Sequence, residues 1–298
     1  MRRFPTSPVM PTSPLSLEEI RERSRLTKEE WREYTKTVWQ IANVTHPFHP
    51  APFPVEIPRR LIKLFSLYGE TVLDPFAGKG TTAEAALALC RRVVCIEQNP
   101  EFAQFIQSEY GLVRKDLAGL DVLQVVQGDS RKLEFMLDNS VDLVVTSPPY
   151  WNKADYGTSV ENLGTISQYQ YFLRELRLVF KELFRVLVPG RKICIVTANV
   201  NQYTDHGLLT FPLATDFNSL LREIGFVMTT EVIWNKDGTG GKWGSFGQQR
   251  PIFGSYPYPP NFLFKNIHEY VLVWSKPGER RNGNPKALPY EWLMANPE

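Results

Sequence analysis

Val72-Leu-Asp-Pro-Phe-Ala-Gly-Lys-Gly-Thr-Thr82 reads as a buried strand that ends in an acid, a glycine turn and the start of an alanine-rich helix. Gly78 and Gly80 permit positive φ and let a ligand approach the backbone, while the amides of Thr81 and Thr82 open the helix, so the stretch has the build of a cradle. Gly78-Lys79-Gly80-Thr81-Thr82 has some likeness to a phosphate loop. That loop needs Ser or Thr directly after its Lys to meet magnesium, and here Gly80 follows Lys79. Asp74 at the strand end would also repel phosphates, whereas it suits a nucleoside that carries positive charge. A second turn, Thr146-Ser-Pro-Pro-Tyr150, follows Val141-Asp-Leu-Val-Val-Thr146, a continuous apolar run of the kind buried in a parallel sheet. Either turn alone is compatible with an ordinary tight connection. In a doubly wound sheet ligands sit outside the carboxyl ends of the strands, so the two together are expected to face one crevice.

The 298 residues, 43% of them apolar, suffice for one large α/β domain with a modest appendage. No run of eighteen apolar residues occurs, and Met1-Arg-Arg-Phe-Pro5 lacks a hydrophobic segment, which argues against a membrane span or secretion. Cys90, Cys95 and Cys194 follow no zinc or disulfide spacing; Cys90 and Cys95 read as small buried apolar residues, and a reducing, cytoplasmic setting is expected. A formal net charge of +2 argues neither for nor against nucleic acid.

Residues 1–45 read as a proline-rich arm followed by two helices. Ser16-Leu-Glu-Glu19 and Thr27-Lys-Glu-Glu30 have capping-box form, and Trp31, Tyr34, Val38 and Ile41 recur at helical spacing. His46 to Pro58 is too proline-rich for a helix or central strand and leads into a helix from Arg59 to Leu67. The first β-α unit runs from Thr71 to Cys90. The next strand, Arg92 to Glu97, ends in an acid about twenty residues past the glycines, the separation at which a carboxylate accepts hydrogen bonds from ribose hydroxyls. Glu97 is thus a candidate ribose anchor, or an N-cap for the helix near Pro100. A third strand ends at Gly128-Asp129. Helix Gln168 to Val188 is expected to stop at Pro189-Gly190, and strands Lys192–Thr197, Phe226–Trp234 and Lys265–Ser275 alternate with helix Pro212–Ile224.

Asp74-Pro-Phe-Ala-Gly-Lys-Gly-Thr-Thr82 resembles the S-adenosylmethionine loop of the amino-directed DNA methyltransferases, and Thr146-Ser-Pro-Pro-Tyr150 resembles their catalytic tetrapeptide. The resemblance spans about Thr27 to Lys276. It implies a Rossmann-like α/β fold: a mostly parallel seven-stranded sheet, helices on both faces and an antiparallel last strand. The catalytic domain would cover 46–235 and 265–276, with an inserted loop at 236–264 and a tail at 277–298. It implies S-adenosyl-L-methionine as cofactor and no metal. The cofactor residues would be His49, Pro50, Asp74, Phe76, Ala77, Gly78, Gly80, Thr81, Thr82, Glu97 and Asp129. From the residues alone, His49 is a loop residue and Asp129 a turn aspartate. The catalytic residues would be Ser147, Pro148, Pro149 and Tyr150: the Ser147 hydroxyl and Pro148 carbonyl accept from the target amine, and Tyr150 stacks on a base flipped from the duplex.

Ser is commoner than Asp at the first tetrapeptide position among cytosine-N4 enzymes, so the resemblance favours cytosine N4 in double-stranded DNA; adenine N6 is the alternative. RNA or protein-amide methylation and a catalytically dead nucleic-acid-binding module are further alternatives. Lys153 and Tyr156 follow the tetrapeptide in a stretch without periodicity. Residues 236–264 are rich in Gly, Pro and aromatics, and Lys242, Gln248, Gln249 and Arg250 are types that contact phosphates or read base edges. These six are the candidate DNA-binding residues, and a mobile surface insert is the other reading of the loop. Expected partners are duplex DNA and a cognate restriction endonuclease, with the chain as monomer or homodimer. The sequence departs from the family in two places. The cofactor loop precedes the tetrapeptide, the reverse of many cytosine-N4 enzymes. Lys79 occupies a position that is often small, which turns its side chain to solvent or to substrate.

Overall fold

In the computed structural model, the described residues are 15–43, 53–111, 121–151, 162–236, 258–260, 264, 266–278 and 294. Two short helices, α1 (Leu17–Arg23) and α2 (Lys28–Tyr34), begin at Ser16 and Thr27, and both capping boxes form. The helical reading of the segment through Ile41 is corrected. Helix α2 stops at Tyr34, and Val38–Gln40 is strand β1. The β-branched run Thr35, Thr37 and Val38 disfavours a further helical turn. Extended backbone instead places Trp39 in the core, 1% exposed, with its indole Nε1 donating to the Tyr34 carbonyl at 3.2 Å. Trp31, counted on the same stripe, is exposed.

The chain then alternates. Helix α3 (Glu56–Phe65) leads to β2 (Thr71–Asp74), α4 (Thr81–Ala88), β3 (Arg92–Glu97), α5 (Pro100–Tyr110), β4 (Leu123–Gln127) and β5 (Val141–Thr146). After a 3-10 turn at Leu163–Thr165 come α6 (Tyr169–Val186), β6 (Leu187–Thr197), β7 (Val200–Thr204), β8 (Gly207–Phe211), α7 (Leu213–Ile224), β9 (Val227–Asn235) and β10 (His268–Ser275). Helix α6 ends two residues short of the expected stop, and Pro189-Gly190 lies inside β6, with Gly190 at φ +84°.

Among the described residues the sheet has eight strands rather than seven, in the order β1-β9-β10-β6-β5-β2-β3-β4. The extra member is β1, which pairs parallel with β9 at the edge. Strand β10 runs antiparallel to both β9 and β6, while the pairs β6–β5, β5–β2, β2–β3 and β3–β4 are parallel. A separate two-stranded sheet, β7–β8, was not anticipated.

Period-two alternation sorts the strand residues between two apolar layers. Leu73, Val144, Ile193, Ile195, Leu272 and Trp274 face α6 and α7, where Phe172, Leu176, Phe180, Phe217 and Leu221 meet them. Val72, Val93, Cys95, Val145, Cys194 and Val271 face the other way, against Ile57 and Leu61 of α3, Ala83 and Ala86 of α4 and Ile106 of α5. With both faces covered, ligand access is directed to the ends of the strands. Cys95 and Cys194 are buried, but Cys90 is only half-buried, in a left-handed turn at φ +57°. Among the described residues no helix is long and apolar enough to cross a membrane.

Candidate active site

Adjacent strands β2 and β5 carry the two motifs to the same end of the sheet, paired at Leu73–Val144. Asp74, the last residue of β2, is 1% exposed. Its Oδ1 accepts from the Phe76 amide at 3.1 Å and from the Thr146 hydroxyl at 2.7 Å. The second bond joins the acid of the glycine turn to the residue directly before Ser147. Burial pushes the Asp74 carboxyl above its ordinary range, against the hydrogen bonds from Thr146 and Phe76 that pull it down.

Past Asp74 the loop folds back on β3: the Ala77 amide donates to the Ile96 carbonyl at 3.0 Å, and the Gly80 amide to the Ala77 carbonyl at 2.7 Å. Gly78 and Gly80 take φ +52° and +81°, and Gly80 is the N-cap of α4. A side chain at Gly80 would meet α5, since a methyl group there would stand 2.9 Å from Tyr110 Cε2 and 3.1 Å from Ile106 Cγ1. Phe76 packs on the α6/α7 layer, Ala77 and Thr82 are buried, and Thr81 is half-buried. The half-exposed Lys79 places its ammonium 5.1 Å and 5.7 Å from the ring centres of Phe105 and Phe102 on α5.

Glu97 closes the loop from the side. Its Oε2 accepts from the Gly78 amide at 2.7 Å, and its Oε1 from the Asn99 amide at 2.8 Å. The cap of α5 is Asn99, whose side chain accepts from the Glu101 amide, so Glu97 does not serve as that N-cap. Burial pushes Glu97 up, and the Asp74 charge adds to the rise. Asp129 stands past the end of neighbouring β4, and the Ser130 hydroxyl beside it donates to the Pro75 carbonyl, tying that end to the loop. The Asp129 carboxylate itself is held by Arg131, whose Nη2 lies 2.7 Å from Oδ2 and whose amide donates to Oδ1 at 2.9 Å. Burial raises this acid, and the Arg131 hydrogen bonds outweigh it, leaving Asp129 below its usual value. The Arg131 guanidinium also reaches Glu175 of α6.

At the second turn Pro148 and Pro149 are buried and Ser147 and Tyr150 half-buried. The Ser147 hydroxyl donates to the Val196 carbonyl of β6 at 3.2 Å. Its proton is thereby committed to the protein, and its oxygen keeps the capacity to accept. The Tyr150 hydroxyl donates to Glu269 Oε2 at 2.7 Å, and Lys236 Nζ donates to Glu269 Oε1 at 2.5 Å. Trp151 is buried in an aromatic group, edge-on to Tyr169 at 5.0 Å and tilted against Phe211 at 4.5 Å between ring centres. Sequence reasoning missed Thr146, Val196, Glu269 and Lys236. For the last two a signal existed: each is a charged residue beside a strand end whose neighbours, Trp234 and Tyr270, are aromatic. His49, Pro50, Lys153, Tyr156, Lys242, Gln248, Gln249 and Arg250 lie outside the described residues.

A family model of DNA methylases, of the N6 and N4 type, matches residues 7–108 and 141–295. The chain belongs to this DNA methylase family. A model of a family called conserved hypothetical protein 95 matches residues 61–182 of the same methylase chain. Among curated relatives, this chain is 41% identical over 107 residues to the Type II methyltransferase M.MjaI of Methanocaldococcus jannaschii, a match covering 34% of this chain and 35% of the relative. It is 44% identical over 89 residues to the Type II methyltransferase M.BglI of Bacillus subtilis, covering 29% and 26%. The matches thus span about a third or less of those relatives' lengths. Among solved structures, this chain is similar to TTHA0409 of Thermus thermophilus, a putative DNA modification methylase crystallised with S-adenosyl-L-methionine. That likeness has 34% identity, covers 56% of this chain and 62% of the other, and has a TM-score of 0.37.

Proposed function

We propose that this chain transfers a methyl group from S-adenosyl-L-methionine to an exocyclic amine of duplex DNA, the N4 amine of cytosine, as a modification enzyme of the Type II restriction-modification kind. The observation that carries the reading is the hydrogen bond between Asp74 and Thr146, which ties the glycine turn to the residue directly before the Ser-Pro-Pro-Tyr turn.

The residues present fit the cofactor. Burial raises the cost of ionising Asp74 and the half-buried Glu97, and the Asp74 charge adds to it at Glu97, so a ligand bearing a sulfonium charge relieves a penalty already in the fold. Glu97 has acceptor capacity beyond the amides it holds, which suits ribose hydroxyls. When bound, S-adenosyl-L-methionine supplies an electrophilic methyl group. His49 and Pro50 are assigned to its methionine end and Asp129 to its adenine amine, the latter in an orientation that Arg131 sets.

The target amine is a poor nucleophile because its lone pair is delocalised into the base. Acceptors on its two hydrogens favour the pyramidal nitrogen that can attack. Ser147 Oγ is suited to one, since its own proton is engaged by Val196, and the Pro148 carbonyl to the other. Two buried prolines hold these groups with little slack, so much of the rate enhancement is assigned to alignment. Tyr150 stacks on the flipped base. Residues 236–264, with Lys242, Gln248, Gln249 and Arg250, are assigned to target recognition, and Lys153 and Tyr156 to strand contacts beside the catalytic turn. Duplex DNA and a cognate endonuclease are the partners this reading implies.

The test is methylation with tritiated cofactor of unmodified plasmid DNA, RNA and protein in competition, followed by nucleoside analysis. N4-methylcytosine in the DNA is expected. N6-methyladenine would reject the cytosine assignment, and label confined to RNA or protein would reject the reading as a whole.

A further inference from the structure

The Tyr150 hydroxyl ends in a two-step chain that neither motif contains. It donates to Glu269 at the start of β10, and the other oxygen of that carboxylate is held by Lys236 at the end of β9. The side chains of Glu269 and Lys236 are 13% and 8% exposed, and the Lys236 ammonium also lies 4.9 Å from the Trp234 ring centre. The backbone fixes the base of this pair: Glu269 is in register with Trp234, and the Lys236 amide donates to the Ile267 carbonyl at 2.8 Å.

A charged pair this sheltered costs desolvation, and a sheet end does not need one for stability, because apolar residues of similar size would serve it equally well. What the pair supplies is a fixed anionic acceptor. Pro148 and Pro149 stiffen the chain leading to Tyr150, yet the ring still turns about its own two side-chain bonds. A charge-assisted hydrogen bond at the far end of the phenol fixes the first of these rotations and biases the second, because the phenolic O–H lies in the ring plane and must point at Glu269. Lys236 keeps the carboxylate aimed and neutralises it, so that no unpaired negative charge stands beside a site that would admit a polyanion.

We propose that Glu269 is a positioning residue for methyl transfer, holding the Tyr150 ring at a set angle through its hydroxyl, with Lys236 holding Glu269. This rests on the functional reading above, in which Tyr150 stacks on the target base. The assay is single-turnover transfer of tritiated methyl to unmodified plasmid DNA, with cofactor affinity and melting temperature measured on the same preparations. Tyr150→Phe, which keeps the stacking face, and Glu269→Ala are each expected to slow transfer about tenfold, with cofactor affinity within about twofold. The double variant is expected to be no slower than the slower single one. Glu269→Gln, whose amide oxygen still accepts from the phenol, is expected to recover to within about threefold of wild type. Where Glu269→Ala does not fold, Lys236→Met replaces it in the same cycle, with the same non-additivity expected. A double variant slowed by the product of the two single effects, or Glu269→Ala at the wild-type rate, overturns the assignment. A wild-type protein that moves no methyl to DNA sinks the functional reading and this inference with it, whereas active wild type with an unimpaired Glu269→Ala rejects this inference alone.

Discussion

Gly80→Ala separates two costs that are usually confounded. At φ +81° any residue with a Cβ sits in the left-handed region, a strain of about 1–2 kcal/mol. The added methyl also stands 2.9 Å and 3.1 Å from Tyr110 and Ile106, and Ile106 is fully buried, so relief requires α5 or its side chains to shift, at about 1–3 kcal/mol more. The total is about 2–5 kcal/mol, and at about 2–3 °C per kcal/mol for a chain of this size the melting temperature is expected to fall by about 4–15 °C. Gly69→Ala is the control: φ is +79°, nothing lies within 4 Å of the added methyl, and only the strain cost applies, about 2–5 °C. Differential scanning fluorimetry with and without S-adenosyl-L-methionine reads both effects. The cofactor should stabilise wild type and Gly69→Ala alike and Gly80→Ala less, since moving α5 disturbs the loop that Glu97 braces. If Gly80→Ala melts no lower than Gly69→Ala, the close packing of the loop on α5 is wrong, and with it the account of why glycine stands there.

Three further outcomes are expected. Ser147→Ala should lower single-turnover transfer by about 10²–10³-fold while cofactor affinity, read by calorimetry, stays near wild type; a parallel loss of affinity would place Ser147 in the cofactor site instead. Glu97→Ala should weaken S-adenosyl-L-methionine binding by at least about tenfold and leave residual transfer at saturating cofactor, a split in KM against kcat that uniform damage to the fold would not give. Asp74→Asn preserves an acceptor for Phe76 and Thr146 but removes the ionisation that burial opposes. Because the folded-state value lies above the ordinary 3.8, wild type loses stability as pH rises through the window between the two. The melting temperature of Asp74→Asn relative to wild type should therefore climb from about pH 4 upward and converge with it below, and a flat difference would refute the assigned direction.

Most of the sheet was legible because its strands are continuous apolar runs bounded by Gly, Pro or acid, and α6 because its stripe persists for five turns. Where the signal was short, tertiary pairing decided. Tyr34, Val38 and Ile41 fit a helical stripe as well as they fit what they became, and the choice fell to an open sheet edge at β9 that no local pattern announces. The β7–β8 hairpin was missed for a related reason: Asp205-His-Gly207 is a turn signal, but the strands beside it alternate too weakly to stand out. The site was legible as two motifs and illegible as a network. Spacing placed Glu97 beside the glycine turn. It could not say that Arg131 would claim the Asp129 carboxylate, nor that Tyr150 would find an acid 119 residues away in sequence, because side-chain pairing across a sheet edge depends on strand order.

Strand order is also what gives the two motifs their joint meaning. Had β5 followed β3 in the sheet, Asp74 and Thr146 would be two strands apart, about 10 Å, and their hydrogen bond could not form. Their adjacency makes the Asp74 carboxyl sensitive to both turns at once, through Phe76 on the glycine turn and Thr146 at the end of β5. A cation arriving at the loop favours the ionised carboxylate, which strengthens its hold on the Thr146 hydroxyl and so on the backbone that presents Ser147. Cofactor binding and the placement of Ser147 are on this account one equilibrium. Thr146→Val should consequently leave the fold intact yet reduce the stabilisation that S-adenosyl-L-methionine confers, and an unchanged cofactor-induced rise in melting temperature would show the two turns to be neighbours without being coupled.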